Sequence, residues 1–159
     1  MFLFKTISSI LFTTLFFIQS VNAASAIKID NAWSPEAPPV VKVMAGYMKI
    51  NNLSDNDIKI ISAKSTLFKK VEIHLSEMKN GMMRMVKQEH LNIKAKSHTE
   101  LKPGGLHMML IGKLKPVEKG SVIPITLSFD NGEVININLN VKSKNAPQMK
   151  CGQGKCGSM

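Results

Sequence analysis

Apolar and polar residues take turns along much of this chain. Residues 58–63 (IKIISA) and 70–75 (KVEIHL) show the period-two rhythm of strands with one face on a core and the other in solvent. The same rhythm predicts strands over residues 26–32, 44–51 and 134–141, and shorter ones over 84–87, 91–94 and 99–101. Residues 106–111 (LHMMLI) and 121–129 are more strongly apolar. Asp130-Asn131-Gly132 between the last two long runs is a hairpin turn signal. Residues 51–57, rich in Asn, Asp and Ser, predict a turn. Residues 34–39 hold Pro35, Pro38 and Pro39 and predict an irregular crossover. No segment sustains a helical period. Many short strands with turns at this spacing predict an all-β domain, a sandwich or a barrel.

The two ends break the pattern. Residues 7–18 are apolar apart from Ser and Thr, follow the single charge of Lys5, and lead into Gln19-Ser20-Val21-Asn22-Ala23. Small residues at Val21 and Ala23 fit signal-peptidase cleavage after Ala23, so residues 1–23 are expected to be an export signal. The apolar run falls short of the roughly 20 residues a membrane span needs, so no stable span is expected after cleavage. No Cys stands near the cleavage site, which argues against a lipid anchor. The folded domain is expected over residues 24–141, and the periodicity stops from about Lys142, leaving residues 142–159 as a flexible tail.

Charge changes the picture little. Loss of the signal removes Lys5 alone, taking the net charge from +10 to +9, nearly all of it Lys with Arg84 the single Arg. The lysines are scattered, and aromatics after the signal number only Trp33, Tyr47, Phe68 and Phe129. Nucleic-acid binding, which wants basic residues among stacking aromatics, is therefore disfavoured. A solvated basic surface that steers toward acidic partners or anionic lipid fits better.

Methionine is abundant, with eleven in the chain. Met44, Met48 and Met78 read as core filler, a common use of the flexible thioether. Others gather around histidines. His74 and Met85 are separated by ten residues, Met85 and His107 by twenty-one, and His107 and Met109 by one. Imidazole with thioether suits monovalent copper, because soft sulfur prefers a soft metal. Asn80-Gly81 is a good two-residue turn; if Lys79 pairs with Met82 across it, His74 opposes Lys87 and Met85 lies two residues away on the same face. His107 and Met109 also share a face by parity, while Met108 points to the core. Met83 shares the face of Met85 and rivals it. His90 and His98 lack soft neighbours in sequence and read as solvated. Neutral ligands leave such a site cationic, so it is expected to be exposed. A blue-copper electron carrier would need a Cys ligand inside the sandwich, and there is none. No nucleophile–base or carboxylate pair stands out to suggest an enzyme.

The region from about Ala32 to Val141 resembles the PCu(A)C family of periplasmic copper chaperones. Its signature H-x10-M-x21-H-x-M is matched by His74, Met85, His107 and Met109 without a gap. Ala45-Gly46-Tyr47-Met48 with Asn51-Asn52, Val71-Glu72-Ile73-His74, the segment LKPGGLHMML from Leu101 and PITLSF from Pro124 match as well. The resemblance implies a cupredoxin-like Greek-key β-sandwich with a shallow copper site, and Met85 rather than Met83 as the sulfur ligand. It implies no enzymatic activity. It further implies binding of Cu(I), with Cu(II) as the other state to consider, and delivery toward the CuA site of cytochrome oxidase subunit II alongside a Sco-like protein. A periplasmic copper buffer or resistance protein would use the same ligands. In the tail, Met149, Cys151, Cys156 and Met159 leave three readings open: thiolate binding of Cu(I), a local disulfide, or an idle end.

Overall fold

The computed structural model describes residues 25–143. The expected signal segment and the tail donors Met149, Cys151, Cys156 and Met159 lie outside them. Ten strands follow in order: β1 (Ile27–Pro35), β2 (Val43–Asn52), β3 (Ile58–Lys64), β4 (Phe68–Lys79), β5 (Met82–Gln88), β6 (Leu91–Ile93), β7 (Ser97–Leu101), β8 (Leu106–Lys113), β9 (Val122–Phe129) and β10 (Val134–Lys142). No helix occurs among the described residues. A strand occupies each expected position, and of those that run past the pattern β1 and β4 extend furthest at their C-terminal ends.

β1 continues through Ser34 and Pro35, where an irregular crossover was expected. The reason is a parallel partner: Trp33, Ser34 and Pro35 stand opposite Asn140, Val141 and Lys142 of β10. Asn31, in the left-handed region at φ 53°, makes the bulge that shifts register between Asp30 and Trp33. Bulges of this kind re-aim a strand from one neighbour to another. β4 runs four residues past Leu75, because its end pairs with β5 as a two-stranded ribbon standing out in solvent. Most of β5 is exposed on both faces, so alternation had nothing to mark there.

Hydrogen bonding links the strands in the order β5-β4-β8-β2-β1-β10-β9-β3-β6, with β7 also on β2. β2 is the corner. Its start, Val43–Gly46, pairs with β8, and its end, Met48–Asn52, pairs with β7. One strand thereby belongs to both layers of a cupredoxin-like β-sandwich. Gly46 sits at the switch, where an added Cβ would lie 2.9 Å from Leu139 Cδ1 and 3.4 Å from Met108 Cβ. The two layers approach too closely there for a side chain.

The space between the layers is filled by Ile50, Ile93, Leu101, Met108, Leu110, Ile125, Leu127, Phe129 and Leu139, all at most 1% exposed. Met44 and Met48 are core filler as expected. Met78 is not: it lies on the protruding ribbon and is 67% exposed. The core also encloses a polar group. Asn52 is fully buried at the end of β2, and its amide Nδ2 donates to the carbonyls of Asn56, Ile93 and Lys94. Its Oδ1 accepts from the Ser54 amide and hydroxyl. One side chain thus ties the 53–57 turn to the end of β6.

Asp57 closes the same corner from outside. Its carboxylate accepts from Lys94 Nζ at 2.7 Å and from the Ala95 amide at 2.9 Å. The Lys94 hydrogen bond first, then the Ala95 amide, hold this carboxyl below the usual aspartate range. A depressed folded value means stability that is present above the unfolded-state value, about 4, and lost as pH falls through the folded one. Asp57→Asn is therefore expected to lower the urea midpoint slightly at pH 7. The difference from the parent should narrow as pH falls below about 4, and a constant difference would exclude this linkage.

Candidate metal centre

Strand register assembles the site. Lys79 stands opposite Met82, so Asn80 and Gly81 form the two-residue turn, at φ 52° and 74°, and His74 faces Lys87 while Ser76 faces Met85. Positive φ at both central residues is the type I′ geometry, which Asn-Gly favours. On the other side of β4, His74 stands opposite His107, and Glu72 opposite Met109. His74, Met85, His107 and Met109 therefore share one face of the sheet, as parity required. The opposite face carries Ile73, Met108 and Leu110 into the core.

On a flat lattice this register would still hold the two sulfurs apart. Met85 lies one pair from the histidines toward the hairpin tip, and Met109 one pair away in the other direction. The long thioether side chains nonetheless reach a common space. Met85, His107 and Met109, with Met83, Ala45 and Tyr47, line one open groove of about 410 Å³. His74 flanks this groove, its ring centroid 6.1 Å from that of His107 at an interplanar angle of 41°. Metal–imidazole bonds of about 2.0 Å allow two rings on one ion a centroid separation of up to roughly 6 Å, so the histidine pair stands at the limit of that reach.

Each imidazole has one nitrogen committed and one free. His107 Nδ1 lies 3.0 Å from the Gly105 carbonyl, which can only accept, so Nδ1 carries the proton and Nε2 keeps its lone pair. His74 Nε2 lies 3.0 Å from Glu72 Oε2. That hydrogen bond, aided by nearby lysine charge, holds the Glu72 carboxyl below the usual carboxylate range. An ionised Glu72 only accepts, so His74 Nε2 is the donor and Nδ1 bears the lone pair. His74 Nδ1 is buried and has no hydrogen-bond partner. Ligating histidines typically have this arrangement, the second nitrogen donating to a carboxylate or carbonyl that fixes the tautomer.

The rest of the groove is neutral. Tyr47 packs on Trp33 with centroids 4.9 Å apart, and burial pushes its phenol up, away from ionisation. Among the described residues no three His, Cys, Asp or Glu side chains are grouped to share an ion. Burial is uneven: His107 is 7% exposed and Met109 half-buried, while Met85 is 58% exposed. The expectation of an exposed site thus holds for the groove and Met85, not for His107. His90 and His98 are exposed, His98 opposite Asn51 on another part of the sheet. Sequence reasoning missed the partners Glu72 and Gly105 as functional. Both were available from parity, since each lies two residues before a histidine.

A family model described as "Putative lipoprotein LpqE-like" matches residues 27–141. The chain belongs to this family. Among its relatives is a protein of Leifsonia xyli subsp. xyli described as "Putative lipoprotein Lxx21020", 28% identical over 120 residues, covering 75% of this chain and 71% of that one. The fold is that of PCuAC domains, as the sequence resemblance implied. The copper-bound PCuAC domain from PmoF2 superposes with a TM-score of 0.65 at 23% identity, over 76% of this chain and 96% of that one. The Cu(I) form of DR1885 from Deinococcus radiodurans gives 0.60 at 28% identity, over 80% and 85%.

Proposed function

We propose that this family member is a periplasmic carrier of Cu(I), not a catalyst, and that His74, Met85, His107 and Met109 hold the ion. The observation that carries the reading is the pair of imidazoles, each with one nitrogen tied by a carboxylate or carbonyl and the other without a hydrogen-bond partner, His107 lining the thioether-rich groove and His74 packed beside it. Copper in the PmoF2 domain and Cu(I) in DR1885 support it from outside. In this proposal residues 1–23 direct export, residues 24–141 form the carrier domain, and the CuA centre of cytochrome oxidase is the destination. Soft, exchangeable thioethers on an open groove let a partner's ligands enter one at a time. The tail donors Cys151 and Cys156, with Met149 and Met159, form an accessory thiolate port that a disulfide would close. A buffer or resistance protein would share the ligands, and transfer of copper to a purified oxidase subunit II fragment separates the two: a carrier hands its ion over, a buffer retains it.

Leucine substitutions test the sulfur assignment. Leu approximates the volume of Met, so the fold should survive at a cost under about 1.5 kcal/mol. Met85→Leu and Met109→Leu are each expected to weaken Cu(I) binding about tenfold or more, at least what loss of a supporting outer contact costs. Met83→Leu should leave the affinity of the groove nearly unchanged. Competition against a Cu(I) chelator reads all three, and an equal loss in Met83→Leu and Met85→Leu would refute the assignment of Met85.

A further inference from the structure

At the tip of the β4–β5 ribbon, thioethers stand in a row in solvent. Met78 and Met83 are directly opposite one another, 67% and 64% exposed, and Met85 follows on the same face. Side chains so placed have Cβ atoms about 4.5–5.5 Å apart, close enough for two flexible thioethers to meet at one ion. Between Ser76 and the tip this face carries no charge, since Glu77, Arg84 and Lys79 fall on the other face by parity. A contiguous exposed apolar patch is unusual on a soluble domain and marks use. Its composition says which use: the donors are neutral and soft, with no hard oxygen ligand, which favours a monovalent d¹⁰ cation over calcium, magnesium or zinc. The patch is also continuous with the groove, because Met83 and Met85 line both.

We propose that Met78 and Met83 form a second, weaker site for a soft monovalent cation, a station through which the ion passes between a partner and the groove. Met85 is the thioether common to both. This inference rests on the copper-carrier reading. Two thioethers without imidazole hold the ion less tightly than the groove does, as a station requires. A ribbon clear of the core can reach a partner while the histidines stay packed.

The test uses Ag(I), a redox-inert d¹⁰ stand-in for Cu(I), on the full chain carrying Cys151→Ser and Cys156→Ser so that tail thiols do not compete. Methionine ε-methyl NMR signals are followed during titration. The first equivalent should move the Met85 and Met109 methyls, and the second those of Met78 and Met83. Met78→Leu should remove the second equivalent, slow loading of the groove, and leave its affinity unchanged. Met82→Leu, equally exposed but on the opposite face of the ribbon, should change nothing. Still methyls at Met78 and Met83 while Met85 and Met109 shift would overturn the station and leave the groove reading intact, and would mark the patch as a docking surface. Shifts at Met78 and Met83 alone would establish the tip site and overturn the groove.

Discussion

Replacing both imidazoles, His74→Gln with His107→Gln, is expected to lower Cu(I) affinity by about a thousandfold, since loss of even an outer partner costs 10–100-fold in metal sites. Each ring has its free nitrogen set by a fixed hydrogen bond at the other, to Glu72 and to the Gly105 carbonyl. The thioethers bring softness but no such orientation. Protons compete with the metal for the same two lone pairs, so affinity in the parent should fall with acidification. Thioethers are not protonated in that range, and in the double variant the pH dependence should vanish with the strong binding. Chelator competition at several pH values reads both effects, with thermal unfolding to verify the fold. Affinity within a few-fold of the parent, or an unchanged pH profile, would exclude the histidines as ligands.

The second large effect concerns stability alone. Asn52→Leu is expected to destabilise the domain by about 3 kcal/mol or more, because a buried group left without its partner costs about 1–3 kcal/mol. Three carbonyls, those of Asn56, Ile93 and Lys94, share the two Nδ2 protons of Asn52, and the Ser54 amide and hydroxyl depend on its Oδ1. Leucine fills the volume and satisfies none of them. Asn52→Asp should cost less for the Oδ1 side and more for the carbonyl side, since a carboxylate repels the carbonyl oxygens the amide served. Denaturant unfolding measures each variant, and the proposed copper ligands, which lie on β4, β5 and β8, should keep their affinity in the folded fraction. A change under about 0.5 kcal/mol, the range of ordinary surface substitutions, would show that water replaces the amide at no cost.

Local chemistry made much of this protein legible in advance. Alternation and short apolar runs marked every strand, β5 only over residues 84–87, because a strand with one face buried must repeat every two residues. Asn80-Gly81 set the register of the β4–β5 ribbon through the φ its turn demands, and that register put His74 and Met85 on one face. The spacing His74, Met85, His107 and Met109 carried the chemical identity of the candidate site, since donor softness belongs to residue type.

Other features were decided only when distant segments met. The extension of β1 through Pro35 depends on β10, a strand at the far end of the domain, and no local period records a parallel partner. The burial of Asn52 beneath its own turn, and the exposure of Met78 on a ribbon without a core behind it, reversed what residue type suggested. The pairing of His74 with His107 joins two strands whose relative register no turn between them specifies. That Met85 and Met109, on different strands, line one groove depends on contacts between β2, β5 and β8 that no local pattern records. Sequence determined which donors this protein owns and which face each one takes, because those follow from side-chain chemistry and strand parity. Tertiary structure alone decided which donors converge and which nitrogen of each ring stays free, because both depend on contacts between strands far apart in the chain.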